Sequence, residues 1–337
     1  MRIAVDAMGG DFAPREIVAG ALLAARQLPY VDEMILVGHE QQIEQELAKS
    51  KEPRPASIRV VHATEVVGMD ESPANAVRRK KDSSIARAVD LVKHQKADAI
   101  FSAGSTGAAV ASCQLRWRTL EGVIRPAIAT AIPTPTKPFV LIDAGATTDC
   151  TPEILRQFAV MGSVYSREIL GVASPKVGLM SIGEEDAKGN EMTKETFALL
   201  EKTHLNFAGN IEGHDLFEGD IDVVVCDGFV GNVILKTAES VGHAMSTWIK
   251  QEFTKNAIRI AGAMLLRGAL KAFKKKVSAD TYGGAPLLGV NGICIIGHGA
   301  SSAIASLNGI KAAAEAVKQN VNHSIIDEIK RLEPVVK

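Results

Sequence analysis

The chain has 337 residues, of which 46% are hydrophobic, so it can bury a substantial core in one or two domains. A formal net charge of -1 and an aromatic content of 4% argue against a nucleic-acid binder, which needs basic excess and stacking side chains. The four cysteines are far apart and no apolar run reaches the ~18 residues of a membrane span, so we expect a reduced, cytoplasmic protein.

Short apolar runs alternate with helix-like segments along the chain, which favours an α/β fold with a largely parallel sheet. The predicted strands are residues 3–7, 34–37, 58–62, 99–102, 139–143, 176–182, 223–226 and 292–296. The predicted helices are residues 14–27, 41–49, 84–95, 152–166, 193–202, 232–250 and 309–329. Ser72 and Thr151 are candidate helix caps, and Pro14 and Pro152 suit a first helical turn.

No linker or low-complexity segment divides the chain, so we expect a single unit of residues 1–337. The proline-rich residues 132–138 are the best candidate for a crossing between lobes, because proline disfavours a continued helix or a central strand. The lobes predicted on this basis are residues 1–131 plus 282–337, and residues 132–281.

Residues 247–276 combine apolar side chains with many basic ones and predict an amphipathic helical hairpin. Its apolar face would pack on the core or on a second subunit. Alternatively, the hairpin would dock on anionic lipid through Leu265 and Leu266. The two interpretations are compatible in a homodimer whose hairpin tip touches a membrane.

Six apolar runs end in glycine-rich turns that carry Ser, Thr, Asp, Asn or Lys, and none presents a convincing protein nucleophile. The turns lie within residues 3–11, 99–109, 140–149, 178–189, 223–236 and 294–303. At strand ends of an open α/β sheet, glycine lets backbone N–H groups approach an anion. The six turns therefore predict a shared crevice that handles phosphate.

Seven motifs follow one another in an order that resembles the bacterial phosphate acyltransferases of the PlsX type. They are DAMGGD (residues 6–11), AVRRKKDSS (76–84), SAGSTGA (102–108), IGEEDAKGNE (182–191), DGFVGNVILKT (227–237), YGGAPLLG (282–289) and GHGAS (297–301). The resemblance implies a three-layer, Rossmann-like fold related to isocitrate and isopropylmalate dehydrogenases, with the helical hairpin as an excursion from it.

The implied reaction moves a long-chain fatty acyl group from acyl-[acyl carrier protein] to inorganic phosphate and gives acyl phosphate for phospholipid synthesis. Phosphate is the nucleophile, so the resemblance implies no covalent enzyme intermediate, no cofactor and no metal. It also implies a homodimer, peripheral contact with the inner face of the cell membrane, and supply of a downstream glycerol-3-phosphate acyltransferase.

Two turns are expected to bind phosphate through backbone N–H groups and hydroxyls, with tight structural turns as the alternative. The residues concerned are Asp6, Gly9, Gly10, Asp11, Ser102, Gly104, Ser105, Thr106 and Gly107. Ser105, Thr147 and Ser181 stand where many relatives carry Asn, so a hydroxyl replaces an amide at each position.

Three residues are candidates for catalysis, each with a structural alternative. Lys188 would neutralise phosphate or the developing oxyanion, or else lie in a solvated charged loop. Asn232 would polarise the thioester carbonyl, or else be a helix N-cap. His298 would protonate the leaving thiol, or else hold a tight turn. The turn around Asn232 adds Asp227, Gly231 and Lys236 to the expected substrate-binding residues.

The basic run Arg78, Arg79, Lys80 and Lys81 would steer the acidic acyl carrier protein, or else be a solvated helix face. Three other functions stay open on sequence grounds: a transacylase that uses acyl coenzyme A, a nicotinamide-dependent dehydrogenase, and a non-enzymatic lipid-surface scaffold. The dehydrogenase is disfavoured because the chain lacks a strand-linked GxGxxG fingerprint and a metal-binding aspartate cluster.

Overall fold

The computed structural model describes residues 1–277 and 283–332, and the side chains of residues 274–277 are outside this description. The strands are β1 (Arg2–Asp6), β2 (Glu33–Gly38), β3 (Ile58–His62), β4 (Ala99–Ser102), β5 (Ala127–Ile132), β6 (Phe139–Ile142), β7 (Lys176–Met180), β8 (Asn206–Ile211), β9 (Val223–Val225), β10 (Ala285–Leu288) and β11 (Cys294–Ile296).

The helices surround the sheet, and most follow a strand directly. They are α1 (Arg15–Gln27), α2 (Glu40–Ala48), α3 (Pro73–Arg79), α4 (Ser84–Lys93), α5 (Thr106–Trp117), α6 (Pro152–Leu170), α7 (Glu191–Leu200), α8 (Gly228–Phe253), α9 (Ala257–Leu265), α10 (Arg267–Val277), α11 (Ala303–Lys318) and α12 (Val321–Lys330).

The strands form one sheet in the order β3-β2-β1-β4-β11-β10-β5-β6-β9-β7-β8. Strands β3, β2, β1, β4 and β11 are parallel, as are β6, β9, β7 and β8. Between these groups, β10 is antiparallel to both β11 and β5, and β5 is antiparallel to β6. The two parallel groups therefore run in opposite directions, and so do their carboxyl ends.

Successive side chains of each strand point to opposite faces of the sheet. Helices pack on both faces, so the fold has three layers. In β1, Ile3 and Val5 join a cluster with α1, α2 and α11, whereas Ala4 joins a cluster with α4 and α5. In the second group of strands, Val140 packs with α6 and α12, and Leu141 packs with α8. This architecture confirms the predicted α/β fold class.

Every predicted strand and helix overlaps an observed one, but several elements were not predicted. Strands β5, β8 and β10 and helices α3 and α5 were missed. The predicted helix 309–329 is two helices, because Asn320 adopts a left-handed backbone with φ of 51° between α11 and α12. Thr151 caps α6 as predicted, whereas Ser72 precedes α3 without a side-chain capping bond.

The proline-rich residues 133–138 connect β5 to β6, which are antiparallel neighbours in the one sheet. The division into two lobes stays a prediction, and its boundary at residues 281–282 lies outside the described residues. Tyr282 of the YGGAPLLG motif also lies outside them.

The predicted hairpin forms the end of α8 together with α9 and α10. Only Gly228 and Gly231 of α8 are buried, and α9 buries no residue. Leu265 is 89% exposed and Leu266 is 50% exposed, so both are free to meet a further surface. None of the described helices is long and apolar enough to cross a membrane.

Candidate active site

Three of the six glycine-rich turns meet at the carboxyl ends of β1, β4 and β11, which are neighbours in the sheet. The Gly297 N–H donates to the Ser102 carbonyl at 2.8 Å, and the Asp11 N–H donates to the Gly299 carbonyl at 2.8 Å. Because the three strands are parallel, their ends lie side by side, as the sequence analysis expected of this fold. We call this group the first turn set.

Gly9 and Gly104 make the closest approach within the first turn set. A side-chain carbon at Gly9 would lie 2.6 Å from the Gly104 nitrogen and 2.8 Å from Asp6 Oδ2. Gly10 has a φ of 108° and approaches the Gly299 carbonyl in the same way. Only glycine permits these backbone contacts, so the GG pair is required for the turns to converge.

Asp6 lies beneath this contact and is only 3% exposed. The Ser102 hydroxyl donates to Asp6 Oδ2 at 2.7 Å, and Ser102 Oγ in turn accepts from the Gly104 N–H at 3.2 Å. Burial raises the pKa of Asp6, while hydrogen bonds from Ser84 and Ser102 act in the opposite direction. A carboxyl group and two hydroxyls thus form a polar floor.

A small pocket, partly open to solvent, lies above this floor. Its polar lining comes from Asp6, Ser84, Ser102 and Ser105, with the backbone of Gly9 and Gly104. Its apolar lining comes from Met8, Val66, Val67, Ile85 and Ala108. The pocket therefore offers both polar and apolar contacts.

Helix α5 begins at the edge of this pocket, and its first N–H groups have no side-chain cap. Ser105 occupies the N-cap position and makes no capping bond. An uncapped helix N-terminus carries partial positive charge and free donors, which favour an anion. Pro73 of α3 closes over this end, since a side-chain carbon at Gly107 would lie 2.5 Å from Pro73 Cγ.

His298 lies at the exposed edge of the first turn set. Its Nδ1 accepts from the Ala300 N–H at 3.2 Å, and the Ser301 hydroxyl donates to its carbonyl at 2.5 Å. In the neutral ring the proton then sits on Nε2, so that nitrogen can act as a donor. His298 consequently holds the turn and presents a donor at the same time.

The other three turns form a second set at the carboxyl ends of β6, β9 and β7. Here Asp143 is buried and accepts from the N–H groups of Ile128, Gly145, Ala146 and Thr147 at 2.6 to 3.1 Å. Burial raises the pKa of Asp143, and these backbone bonds oppose the shift. The structure thus brings the turns together as two sets of three, rather than as one crevice.

The start of α8 corrects one interpretation of Asn232. The N-cap is Asp227, whose Oδ1 accepts from the N–H groups of Phe229 and Val230 at 2.9 Å. Asn232 lies further along the first turns of α8 and is exposed, with its Oδ1 beside Gly145. Gly231 packs against the Asp143 carbonyl, and Lys236 pairs with Glu239 at 2.8 Å.

Lys188 lies in the turn after β7, and its side chain runs along Gly183. It is exposed, and no carboxylate within the described ranges lies at salt-bridge distance from its ammonium. In the same region Glu184, His214 and Asp215 bring ligand atoms within 4.8 Å of one another. The expectation that the protein uses no metal stays a prediction.

The basic run is only partly exposed, and Lys80 is not a free surface charge. Lys80 Nζ donates to the Val66 carbonyl at 2.7 Å and pairs with Glu71. Arg78, Arg79 and Lys81 are exposed. The ammonium of Lys80 is used within the chain, and the contact of the four-residue run with the carrier protein stays a prediction.

Three of the four cysteines are poor candidates for a nucleophile. Burial raises the pKa of Cys150 to about 12 and the pKa values of Cys113 and Cys226 well above their usual range. A neutral thiol is a poor nucleophile, so these groups agree with chemistry in which a substrate attacks. Ser84, Val66 and Val67 line the pocket but were not predicted as site residues, because they are far along the chain from the first turn set.

Comparison with known proteins decides the family. The chain matches the family described as "Fatty acid synthesis protein" over residues 1–324. A phosphate acyltransferase from Pelotomaculum thermopropionicum is 50% identical over 333 residues, which cover 99% of this chain and 96% of that protein. The chain belongs to the phosphate acyltransferase family. It is an acyltransferase enzyme of fatty acid and phospholipid synthesis, as the motifs predicted.

Another phosphate acyltransferase, from Nostoc punctiforme, is 51% identical over 324 residues. These residues cover 95% of this chain and 94% of that protein. Among solved structures, a phosphotransacetylase from Streptococcus pyogenes matches with a TM-score of 0.61 at 17% identity, covering 94% of each chain. A 4-hydroxythreonine-4-phosphate dehydrogenase from Klebsiella pneumoniae matches with a TM-score of 0.54 at 15% identity, covering 94% of this chain and 98% of the other. Both likenesses show the shared α/β fold.

Proposed function

We propose that this phosphate acyltransferase moves a long-chain fatty acyl group from acyl-[acyl carrier protein] to inorganic phosphate and releases acyl phosphate. The observation that carries the proposal is the uncapped N-terminus of α5, which opens into a pocket floored by Asp6 and Ser102. Phosphate is the anion that the reaction requires, and free N–H groups with nearby hydroxyls suit it.

In this mechanism a phosphate oxygen attacks the thioester carbonyl carbon, the carbonyl becomes an oxyanion, and the carbon–sulfur bond then breaks. The protein holds phosphate at the N-terminus of α5 and orients it toward the thioester. The proton that the attacking hydrogen phosphate loses passes to the departing thiolate, and His298 Nε2–H donates a hydrogen bond to the sulfur as the carbon–sulfur bond breaks. Lys188 and Asn232 belong to the second turn set, so they stabilise negative charge on the oxyanion or phosphate only where the bound donor spans both sets.

The direct test incubates purified protein with palmitoyl carrier protein, with and without phosphate. We expect phosphate-dependent release of the free carrier thiol and formation of acyl phosphate, trapped as a hydroxamate. Thiol release that does not depend on phosphate would reject the proposal. Palmitoyl coenzyme A in place of the carrier donor separates the two transacylase alternatives, and a nicotinamide fluorescence titration tests the dehydrogenase.

Gly9→Ala tests whether the first turn set holds phosphate. Its new side-chain carbon would lie 2.6 Å from the Gly104 nitrogen, so the turns must separate. We expect kcat/KM for phosphate to fall by about tenfold or more. The matched control is Gly213→Ala, where nothing lies within 4 Å, and its activity should stay at the original level.

Arg78, Arg79 and Lys81 are proposed to steer the acidic carrier protein, because they are exposed next to α4, whose Ser84 and Ile85 line the pocket. Reversing the charge at Arg78 and Arg79 should raise KM for the carrier-bound donor and weaken its dependence on salt. An equal change with acyl coenzyme A would argue against carrier docking there.

Helix α8 and the hairpin are proposed to serve a homodimer and a peripheral membrane contact. Exposed apolar side chains continue from Val241 and Trp248 to Ile258 and Leu265. Leu265→Glu should lower binding to anionic phosphatidylglycerol vesicles while sedimentation still reports a dimer. Leu115→Glu, at a leucine of α5 that is 61% exposed, is the control and should leave vesicle binding unchanged.

A further inference from the structure

The excursion between β3 and α4, residues 63–83, contributes to the lining of the active-site pocket. Its two ends are hydrogen-bonded to each other. Asp82 Oδ2 accepts from the Thr64 N–H at 3.0 Å and from the Thr64 hydroxyl at 2.5 Å. The Ser84 N–H donates to the Glu65 carbonyl at 3.1 Å. The start of the excursion is thereby fixed to the start of α4, which also lines the pocket.

Lys80 fixes the middle of the same excursion. Its ammonium donates to the Val66 carbonyl at 2.7 Å and pairs with Glu71, while Glu71 Oε1 accepts from the Gly68 N–H at 2.7 Å. Met69, next to these residues, lies against Gly299 of the first turn set. Lys80 and its partner Glu71 therefore hold residues 66–71, of which Val66 and Val67 line the pocket.

The pocket beside Lys80 has both apolar and polar lining. Val66 and Val67 line it together with Ile85 and Ala108, and so do Asp6 and Ser102. An acyl thioester presents the same two chemistries, because an alkyl chain adjoins its reacting carbonyl. The apolar lining residues are few and lie close to Asp6 and Ser102 in the same pocket, so we assign them only to the carbons nearest the reacting carbonyl.

We propose that Val66 and Val67 form the subsite for the acyl carbons next to the thioester, and that Lys80 is the positioning residue that sets this wall against the phosphate seat. The proposal rests on the proposed function, since it assigns the acyl donor to the same pocket. Lys80 acts through the 66–71 backbone and not through the carrier protein.

The test compares Lys80→Met with Lys81→Met, which each remove one ammonium and keep an alkyl side chain. Two carrier-bound donors are used, one straight-chain and one with a methyl branch beside the carbonyl. A looser wall should accept the branched donor better, so Lys80→Met should raise the branched-to-straight ratio of kcat/KM by about three- to tenfold. Lys81→Met should leave that ratio unchanged and alter only KM for the carrier-bound donors.

Val67→Ala widens the wall without touching the Lys80 contacts, and it should shift the same ratio in the same direction. It keeps the test valid where Lys80→Met fails to fold. An unchanged ratio in Val67→Ala, or a Lys80→Met profile equal to that of Lys81→Met, would overturn the proposal. Absence of phosphate-dependent thiol release in the unmodified protein would instead overturn the proposed function, so the two failures are distinguishable.

Discussion

Asp6 illustrates how one residue can both shape and polarise a site. It ends β1, lies under the contact between Gly9 and Gly104, and accepts a hydrogen bond from Ser102. Burial raises its pKa, so its charged form is costly in the folded protein. A charge on Asp6 would also interact with a phosphate bound in the adjacent pocket.

Comparing Asp6→Asn with the unmodified protein should reveal this cost as a pH-dependent stability difference. The unfolded carboxyl loses its proton near its ordinary value of 3.8, while the folded one keeps it to a higher pH. Between these values the folded state binds more protons, so the stability of the unmodified protein relative to the variant should fall as pH rises. Urea unfolding at several pH values measures this difference in unfolding free energy. A difference that increases with pH would contradict the raised pKa of Asp6.

Helix α8 lets a capping role be separated from a catalytic one, because the two belong to different residues. Asp227 caps the helix, while Asn232 is exposed one turn later. Asp227→Ala should cost about 1–2 kcal/mol of unfolding free energy, since two N–H groups lose their acceptor.

Asn232→Ala should instead change stability by less than about 0.5 kcal/mol and still lower turnover. Chemical denaturation and the carrier-thiol assay together check this pair of expectations. A loss of stability as large as that of Asp227→Ala would restore the structural interpretation of Asn232.

The excursion of residues 63–83 is an element without regular hydrogen bonding over most of its length, and acid should loosen it. Hydrogen bonds from Thr64 and, secondarily, from Arg87 lower the pKa of Asp82 to about 2. A carboxyl group whose pKa is lowered on folding stabilises the folded protein at pH values above its unfolded pKa of 3.8. That stabilisation is lost as the pH falls through the folded pKa of about 2.

Amide hydrogen exchange of residues 64–72, corrected for its intrinsic rate, should therefore accelerate as the pH falls from about 5 to about 2. Asp82→Asn should exchange fast at every pH in this range. Exchange in the unmodified protein that does not respond to acid would show that other bonds hold the excursion.

At the scale of the whole molecule, Glu328 of α12 joins distant parts of the second half. It is buried and bonds to Arg167 of α6 at 3.1 Å, to His204 at 2.9 Å and to Arg331 at 3.2 Å. Glu328→Gln removes the charge and should lower the unfolding free energy by about 1–2 kcal/mol. Asp327→Asn, whose only ion partner among the described residues is His323 at 3.4 Å, should cost less than about 0.5 kcal/mol.

Strand-end glycines made much of the site predictable. Gly9 and Gly104 were expected together because parallel strands place their carboxyl ends at one edge, and the structure brings them into contact. The reversal of direction between β4 and β6 could not be read from the sequence, since no local pattern marks antiparallel β10 and β5. The six turns consequently looked like one crevice.

The elements that were not predicted lack a strong hydrophobic pattern. Helix α5 opens with Gly107 and small side chains, β5 consists largely of Ala and Thr, and β8 carries Gly209. Lys80 resembled its basic neighbours because its partners Val66 and Glu71 are nine or more residues away. Such long-range pairs depend on the fold, which local sequence does not specify.

The centre of the sheet is completed by β10 and β11, which come last in sequence among the described strands. Strand β4 pairs with β11, and β5 pairs with β10, so residues 285–296 fill the gap inside a sheet whose other strands all precede them. A nascent chain that ends before residue 285 presents two unpaired strand edges, which are templates for association with other chains. Folding of this enzyme should therefore finish only after residues 285–296 have been synthesised, with a need for chaperone protection until then.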